Sequence, residues 1–129
     1  MAKNVLVIDD EADIGEMIKI RLEANGYRVV LAYDGLDGIE KAKKEVPDII
    51  LLDILMPQMD GFEVCQRLRV IPKMGNVPII MLTAIKTEAT LERAREAGSQ
   101  DYLVKPFDGQ ELAQRVRFYL EKKNKIKVQ

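Results

Sequence analysis

Two rhythms of apolar residues alternate along this chain. Short runs of strand length occur at Val5–Ile8, Arg28–Ala32, Ile49–Leu52, Val77–Leu82 and Tyr102–Val104. The run at 49–52 has no polar alternation, as in a strand buried on both faces of a parallel sheet. Between the runs, apolar residues recur at helical spacing. Ile14, Met17, Ile18 and Leu22 form a first stripe, stopped by Asn25-Gly26. Leu36, Ile39 and Ala42 outline a short helix ending before Pro47, and Phe62, Cys65 and Leu68 mark one that must stop before Pro72. Thr87 to Ala97 has little beyond Leu91, Ala94 and Ala97 to bury. The last helix opens on Asp108 with Glu111, a capping box, and carries Leu112, Val116, Tyr119 and Leu120 on one face. Pro78, near the start of the fourth run, is tolerated there.

Strand and helix alternating five times predict an α/β fold: a doubly wound five-stranded parallel sheet with five helices. The flavodoxin-like order 2-1-3-4-5 is the common solution and makes strands one and three neighbours across a switch point. One domain is expected over 1–122, with 123–129 a basic tail or the start of a linker.

Composition narrows the chemistry. The chain has 129 residues, 47% hydrophobic and 32% charged, with a net charge of -1. That balance gives no global attraction to nucleic acid or to a membrane surface, and no apolar run approaches the ~20 residues of a membrane span. The single cysteine, Cys65, sits among apolar helix positions and fits a reducing compartment. Together with a start that is no signal peptide, this makes the cytoplasm the expected location. There is no histidine. Imidazole-based nucleophilic catalysis and imidazole metal sites are therefore excluded, and any bound metal would be a hard cation held by oxygen.

Polar residues sit at the carboxyl ends of four of the runs: Asp9 and Asp10 after the first, Asp53 after the third, Thr83 after the fourth and Lys105 after the fifth. In the 2-1-3-4-5 order they converge on one rim. Three carboxylates there repel unless positive charge lies among them. Lys105 offsets one, and Mg²⁺ suits the remainder, with Mn²⁺ a substitute. A carboxylate, a divalent ion, a lysine and a hydroxyl are the parts of phosphoryl transfer to an aspartate: Asp53 attacks, Mg²⁺ and Lys105 neutralise the phosphoryl oxygens, and Thr83 donates a hydrogen bond.

Over nearly its whole length the chain resembles the receiver domain of two-component response regulators. The resemblance rests on Val5 to Asp10, Asp48 to Asp53, Met56-Pro57 with Asp60-Gly61, Leu82-Thr83-Ala84, and Tyr102 to Phe107. It implies that Asp53 accepts a phosphoryl group from a sensor histidine kinase or phosphotransfer protein. It also implies that Asp10 and Asp53 bind Mg²⁺ directly, with the Leu55 backbone carbonyl as third protein ligand and Asp9 acting through water. Lys105-Pro106 would be a cis peptide, and Thr83 and Tyr102 a switch pair that moves the face of the fourth helix, fifth strand and fifth helix. That face would control a downstream effector domain or target protein. Asp101, Glu111 and Arg115 are similar to a dimerising face, implying a phosphorylation-dependent homodimer. Leu91 and Gln100 depart from the charges of that face. Leu55 and Ile85 flank the acceptor with apolar side chains, so slow autodephosphorylation is expected of a phosphoacceptor that is otherwise no enzyme.

Two other readings are weaker. Phosphatases of the haloacid dehalogenase type need a second acid where this chain has Leu55. Flavodoxin cradles a phosphate after its first strand, where Asp9-Asp10-Glu11-Ala12-Asp13 would repel one.

Overall fold

The computed structural model describes residues 2–128, with side chains through residue 122. In chain order the elements are β1 (Asn4–Ile8), α1 (Ala12–Ala24), β2 (Arg28–Ala32), α2 (Gly35–Glu45), β3 (Ile49–Asp53), α3 (Gly61–Arg69), β4 (Ile79–Thr83), α4 (Glu88–Ala97), β5 (Asp101–Val104) and α5 (Gly109–Val128). The five strands form one sheet in the order β2-β1-β3-β4-β5, and every pairing is parallel. This is the expected doubly wound arrangement. The expected basic tail, 123–129, lies outside the residues whose side chains are described.

Strand periodicity sorts the core into two layers. Leu6, Ile8, Ile50, Leu52, Ile79 and Met81 pack with residues of α2, α3 and α4 on one face. Val5, Val7, Ile49, Leu51, Ile80 and Leu82 pack on the other with Ile18 and Leu22 of α1 and Leu112, Val116 and Leu120 of α5. All five residues of β3 and of β4 are buried, because helices cover both faces at the sheet centre. Burying each Leu or Ile contributes about 1.5–3 kcal/mol, so this centre is the rigid part of the domain.

Helix faces depart from the expected stripes at two places. Met17 is 47% exposed and Leu36 61% exposed. Glycines take the inward positions instead: Gly15 in α1, and Gly35 and Gly38 in α2. At Gly38 the reason is close approach, since a β-carbon there would lie 2.5 Å from Ile8 Cδ1. The capping box also differs. Asp108 Oδ1 accepts from the Gln110 N–H at 2.6 Å, while the Glu111 carboxylate lies 3.8 Å from Arg115 instead of closing the box. Cys65 is fully buried, and desolvation pushes its thiol up to about 11.

Gly61 starts α3 directly beneath the end of β3. A β-carbon at this position would run into the Asp53 carbonyl oxygen and lie 2.8 Å from Ile54 Cα, both backbone atoms. Gly61→Ala should therefore force apart β3 and α3 and lower unfolding stability by about 2–4 kcal/mol, measured by urea titration. Gly26→Ala lies in open space at a φ of 90° and should lose less, by about 1 kcal/mol.

Candidate functional site

Sheet register brings the four strand ends together. Ile8 pairs with Leu52, Asp53 with Leu82 and Thr83 with Val104. Backbone hydrogen bonds continue past the strands: Ile54 N–H donates to the Leu82 carbonyl at 3.1 Å and Lys105 N–H to the Thr83 carbonyl at 2.8 Å. The rim residues are thus placed by the ladder rather than by loops. Beyond Asp53 the chain turns through Gln58, which has a φ of 70°. It enters α3 at Asp60, whose side chain accepts from the Glu63 N–H at 3.0 Å.

Asp9, Asp53 and Thr83 are the buried polar side chains among the described residues, at 1%, 4% and 1% exposure. Asp10 is exposed, and one carboxylate oxygen from each of Asp9, Asp10 and Asp53 lies within 4.8 Å of the others. Lys105 Nζ stands between two of them, 2.8 Å from Asp9 Oδ2 and 3.4 Å from Asp53 Oδ1. Asp9 Oδ1 also accepts the Glu11 N–H at 2.9 Å, so this carboxylate both tethers the lysine and fixes the turn leading into α1. Glu11, absent from the sequence-derived site, reaches Lys105 at 3.3 Å; the only signal for it was its place in the acidic run after β1.

The charge balance is unfavourable for Asp53. Desolvation and then the neighbouring Asp9 push its carboxyl up to about 7, with Asp10 adding to the rise and Lys105 opposing it. Burial works against the Lys105 charge, but the hydrogen bond it donates to Asp9 and the charge of Asp53 outweigh it and raise that group as well. One ammonium does not neutralise three clustered carboxylates. The donors are all oxygen and partly open to water through Asp10, which fits a hard divalent ion of the Mg²⁺ type.

The remaining positions run from Thr83 at the end of β4 to Gln100 and Asp101 at the far end of β5. The Thr83 hydroxyl donates to the Ile85 carbonyl and accepts from the Ile85 N–H, both at 2.9 Å. Tyr102 lies two residues before the rim on β5, 37% exposed. It borders a cleft of about 480 Å³ that Lys86, Lys105 and Arg115 also line. Leu55 and Ile85 present exposed apolar side chains, at 55% and 38%. The Lys105–Pro106 bond is cis. Asp101 and Arg115 pair within the one chain at 3.0 Å, and the Asp101 carboxylate also accepts from the Tyr119 hydroxyl at 2.9 Å. Gln100 is engaged internally too, its Oε1 accepting from Arg69 and from the Ile79 N–H.

A doubly wound domain with a carboxylate cluster and a lysine at the strand-one/strand-three switch point belongs to a defined class of fold and site. Residues 5–117 match the response regulator receiver domain, and the chain belongs to that family: it is the receiver domain of a two-component response regulator. It is 45% identical over 123 residues to a probable transcriptional regulator, ycf27, of Guillardia theta, a match covering 95% of this chain and 47% of the relative. It is 41% identical over 122 residues to the DNA-binding dual master transcriptional regulator RpaA of Synechocystis, covering 95% of this chain and 51% of the relative. The chain thus spans about half the length of these relatives. Among solved structures, chemotaxis protein CheY4 of Vibrio cholerae superposes with a TM-score of 0.90 at 32% identity, covering 92% of this chain and 99% of that one. A putative response regulator from Chloroflexus aurantiacus gives 0.88 at 36% identity, covering 94% and 99%.

Proposed function

We propose that Asp53 accepts the phosphoryl group, and that the domain acts as a phosphoacceptor rather than a turnover enzyme. The observation that carries this reading is the convergence of Lys105 Nζ on Asp9 and Asp53, at 2.8 and 3.4 Å, beside the buried Thr83. A carboxylate oxygen of Asp53 attacks phosphorus in line. The phosphorus–nitrogen bond to the donor histidine breaks as the phosphorus–oxygen bond forms, and the imidazole leaves with its electron pair. Lys105 neutralises a phosphoryl oxygen. Asp10, Asp53 and the Leu55 carbonyl would hold Mg²⁺, or Mn²⁺ in its place, with Asp9 acting through water. When bound, the ion offsets negative charge on the transferring group.

Thr83 connects chemistry to output. Its hydroxyl has one proton, now given to the Ile85 carbonyl. Donating that proton to a phosphoryl oxygen frees the Ile85 carbonyl and loosens the start of α4, and Tyr102 follows into the space vacated. The altered face of α4, β5 and α5 would then be read by an effector domain or target protein. A homodimer through Asp101, Glu111 and Arg115 would exchange the existing Asp101–Arg115 pair for an intermolecular one, so it gains little ion-pair energy over the monomer. DNA binding is part of the name of the Synechocystis relative; the role we assign to this half-length chain is signal acceptance without direct nucleic-acid contact. Among the described residues no helix is long and apolar enough to cross a membrane. We place the domain in the cytoplasm with its kinase.

Incubation with acetyl phosphate and Mg²⁺, followed by intact mass, tests the acceptor. The wild type should gain a single phosphoryl group, and Asp53→Asn, or the wild type in chelator, should gain none; equal addition to Asp53→Asn would overturn the assignment. The lifetime of the product tests the flanking residues. Neither Leu55 nor Ile85 can hold a water by hydrogen bonding, so hydrolysis should be slow. Leu55→Asn combined with Ile85→Glu should shorten the lifetime by about tenfold or more, equivalent to about 1.4 kcal/mol in the barrier.

A further inference from the structure

Helix α4 is held unevenly along its length. Its buried residues, Ala94 and Ala97, both lie in its second half. The first turn has only a local cap, the Thr87 hydroxyl accepting from the Thr90 N–H at 3.2 Å. At mid-helix the Arg93 guanidinium covers the Phe62 ring of α3 at 4.1 Å.

The carboxyl end is bound far more firmly, through Arg69 at the end of α3. Its Nε and Nη2 donate to the Gly98 carbonyl at 2.9 and 2.7 Å. Its Nη1 donates to the Met74 and Val77 carbonyls, both at 2.7 Å. Nη2 also reaches Gln100 Oε1 at 2.7 Å, and that oxygen accepts from the Ile79 N–H at the start of β4. One guanidinium therefore joins α3, the 70–77 loop, the α4–β5 turn and β4. Gly98 is shaped for this contact: it ends α4 at a φ of 109°, and a β-carbon there would lie 2.9 Å from Arg69 Cγ.

We propose that Arg69 is the pivot of α4: on phosphorylation the helix swings from its Thr87 end, while the guanidinium keeps its Gly98 end locked to α3 and β4. This rests on the reading that Asp53 is phosphorylated and supplies the hinge of that same switch. The two ends differ in what must break. At the amino end the Thr83–Ile85 bonds are neutral, and the phosphoryl group offers the hydroxyl a new acceptor. At the carboxyl end the three Arg69 bonds to Gly98 and Gln100 are charge-assisted, each roughly twice as strong as a neutral one, and the two to Met74 and Val77 fix the guanidinium itself to the 70–77 loop. The moving part of the output face is then the first half of α4 with Tyr102, and the turn at Gly98 is fixed.

Residue-resolved amide exchange tests this, on wild type and Arg69→Met, each with and without acetyl phosphate and Mg²⁺. In the wild type, phosphorylation should accelerate exchange at Glu88 to Leu91 and leave Gly98, Ser99 and Gln100 unchanged. In Arg69→Met, exchange at those three amides should rise about ten- to a hundredfold before phosphorylation, and the phosphorylation response should spread to them. Equal acceleration at both ends of α4 in the wild type would overturn the pivot, as would an Arg69→Met pattern identical to wild type. If Arg69→Met does not fold, the gradient along wild-type α4 decides. Intact mass of the same samples separates the two claims: without phosphoryl addition the Asp53 reading fails, and unchanged protection at residues 98–100 in unphosphorylated Arg69→Met would still overturn the pivot.

Discussion

The domain is built around an electrostatic conflict. Carboxylate oxygens of Asp9, Asp10 and Asp53 crowd within 4.8 Å of one another at the rim of the sheet. At that separation two like charges repel by roughly 3–4 kcal/mol at an effective dielectric of about 20. Left to relax, such side chains would turn toward water. They are prevented because the strands carrying them are fixed by buried residues on both faces, and because Asp9 is held by the Glu11 N–H and Lys105 together. Lys105 relieves part of the repulsion. The remainder keeps Asp53 a poorly stabilised carboxylate and would favour a divalent cation among the three.

That conflict is joined to the surface by few bonds. Thr83 is buried beside the acidic cluster, yet its hydroxyl is spent on the Ile85 backbone at the head of the β4–α4 loop. In the proposed switch, a change of acceptor at that one proton would alter the anchoring of α4. On the route from Thr83 to the surface, little is buried in the loop at 84–87 and the first turns of α4, and the Tyr102 ring is partly exposed.

Much of this was legible in the sequence because it depends on periodicity and on chain punctuation. Unbroken apolar runs announced strands covered on both sides, and the acid, hydroxyl and lysine ending those runs announced a shared rim. Other features were hidden because they depend on close approach, which a hydrophobic stripe does not encode. Gly38, pressed on Ile8, took the inward place in α2 and left Leu36 exposed. Glu11 joined the site only because α1 begins where its carboxylate can reach a lysine 94 residues away. The Asp101–Arg115 pair, readable as a contact between two molecules, is closed within one. Arg69 gave no signal at all, since its partners are backbone carbonyls and a backbone carbonyl has no sequence signature.

Thermal unfolding of wild type and Asp53→Asn, in chelator and in Mg²⁺, tests the charge conflict most directly. In chelator, removing one carboxylate charge should relieve the repulsion, so Asp53→Asn should melt several degrees above wild type. Mg²⁺ should then stabilise the wild type by mass action and the variant much less, narrowing or reversing the gap. A variant that melts below wild type in chelator, with wild type unmoved by Mg²⁺, would mean that the cluster is already neutralised within the chain, and the account would be wrong.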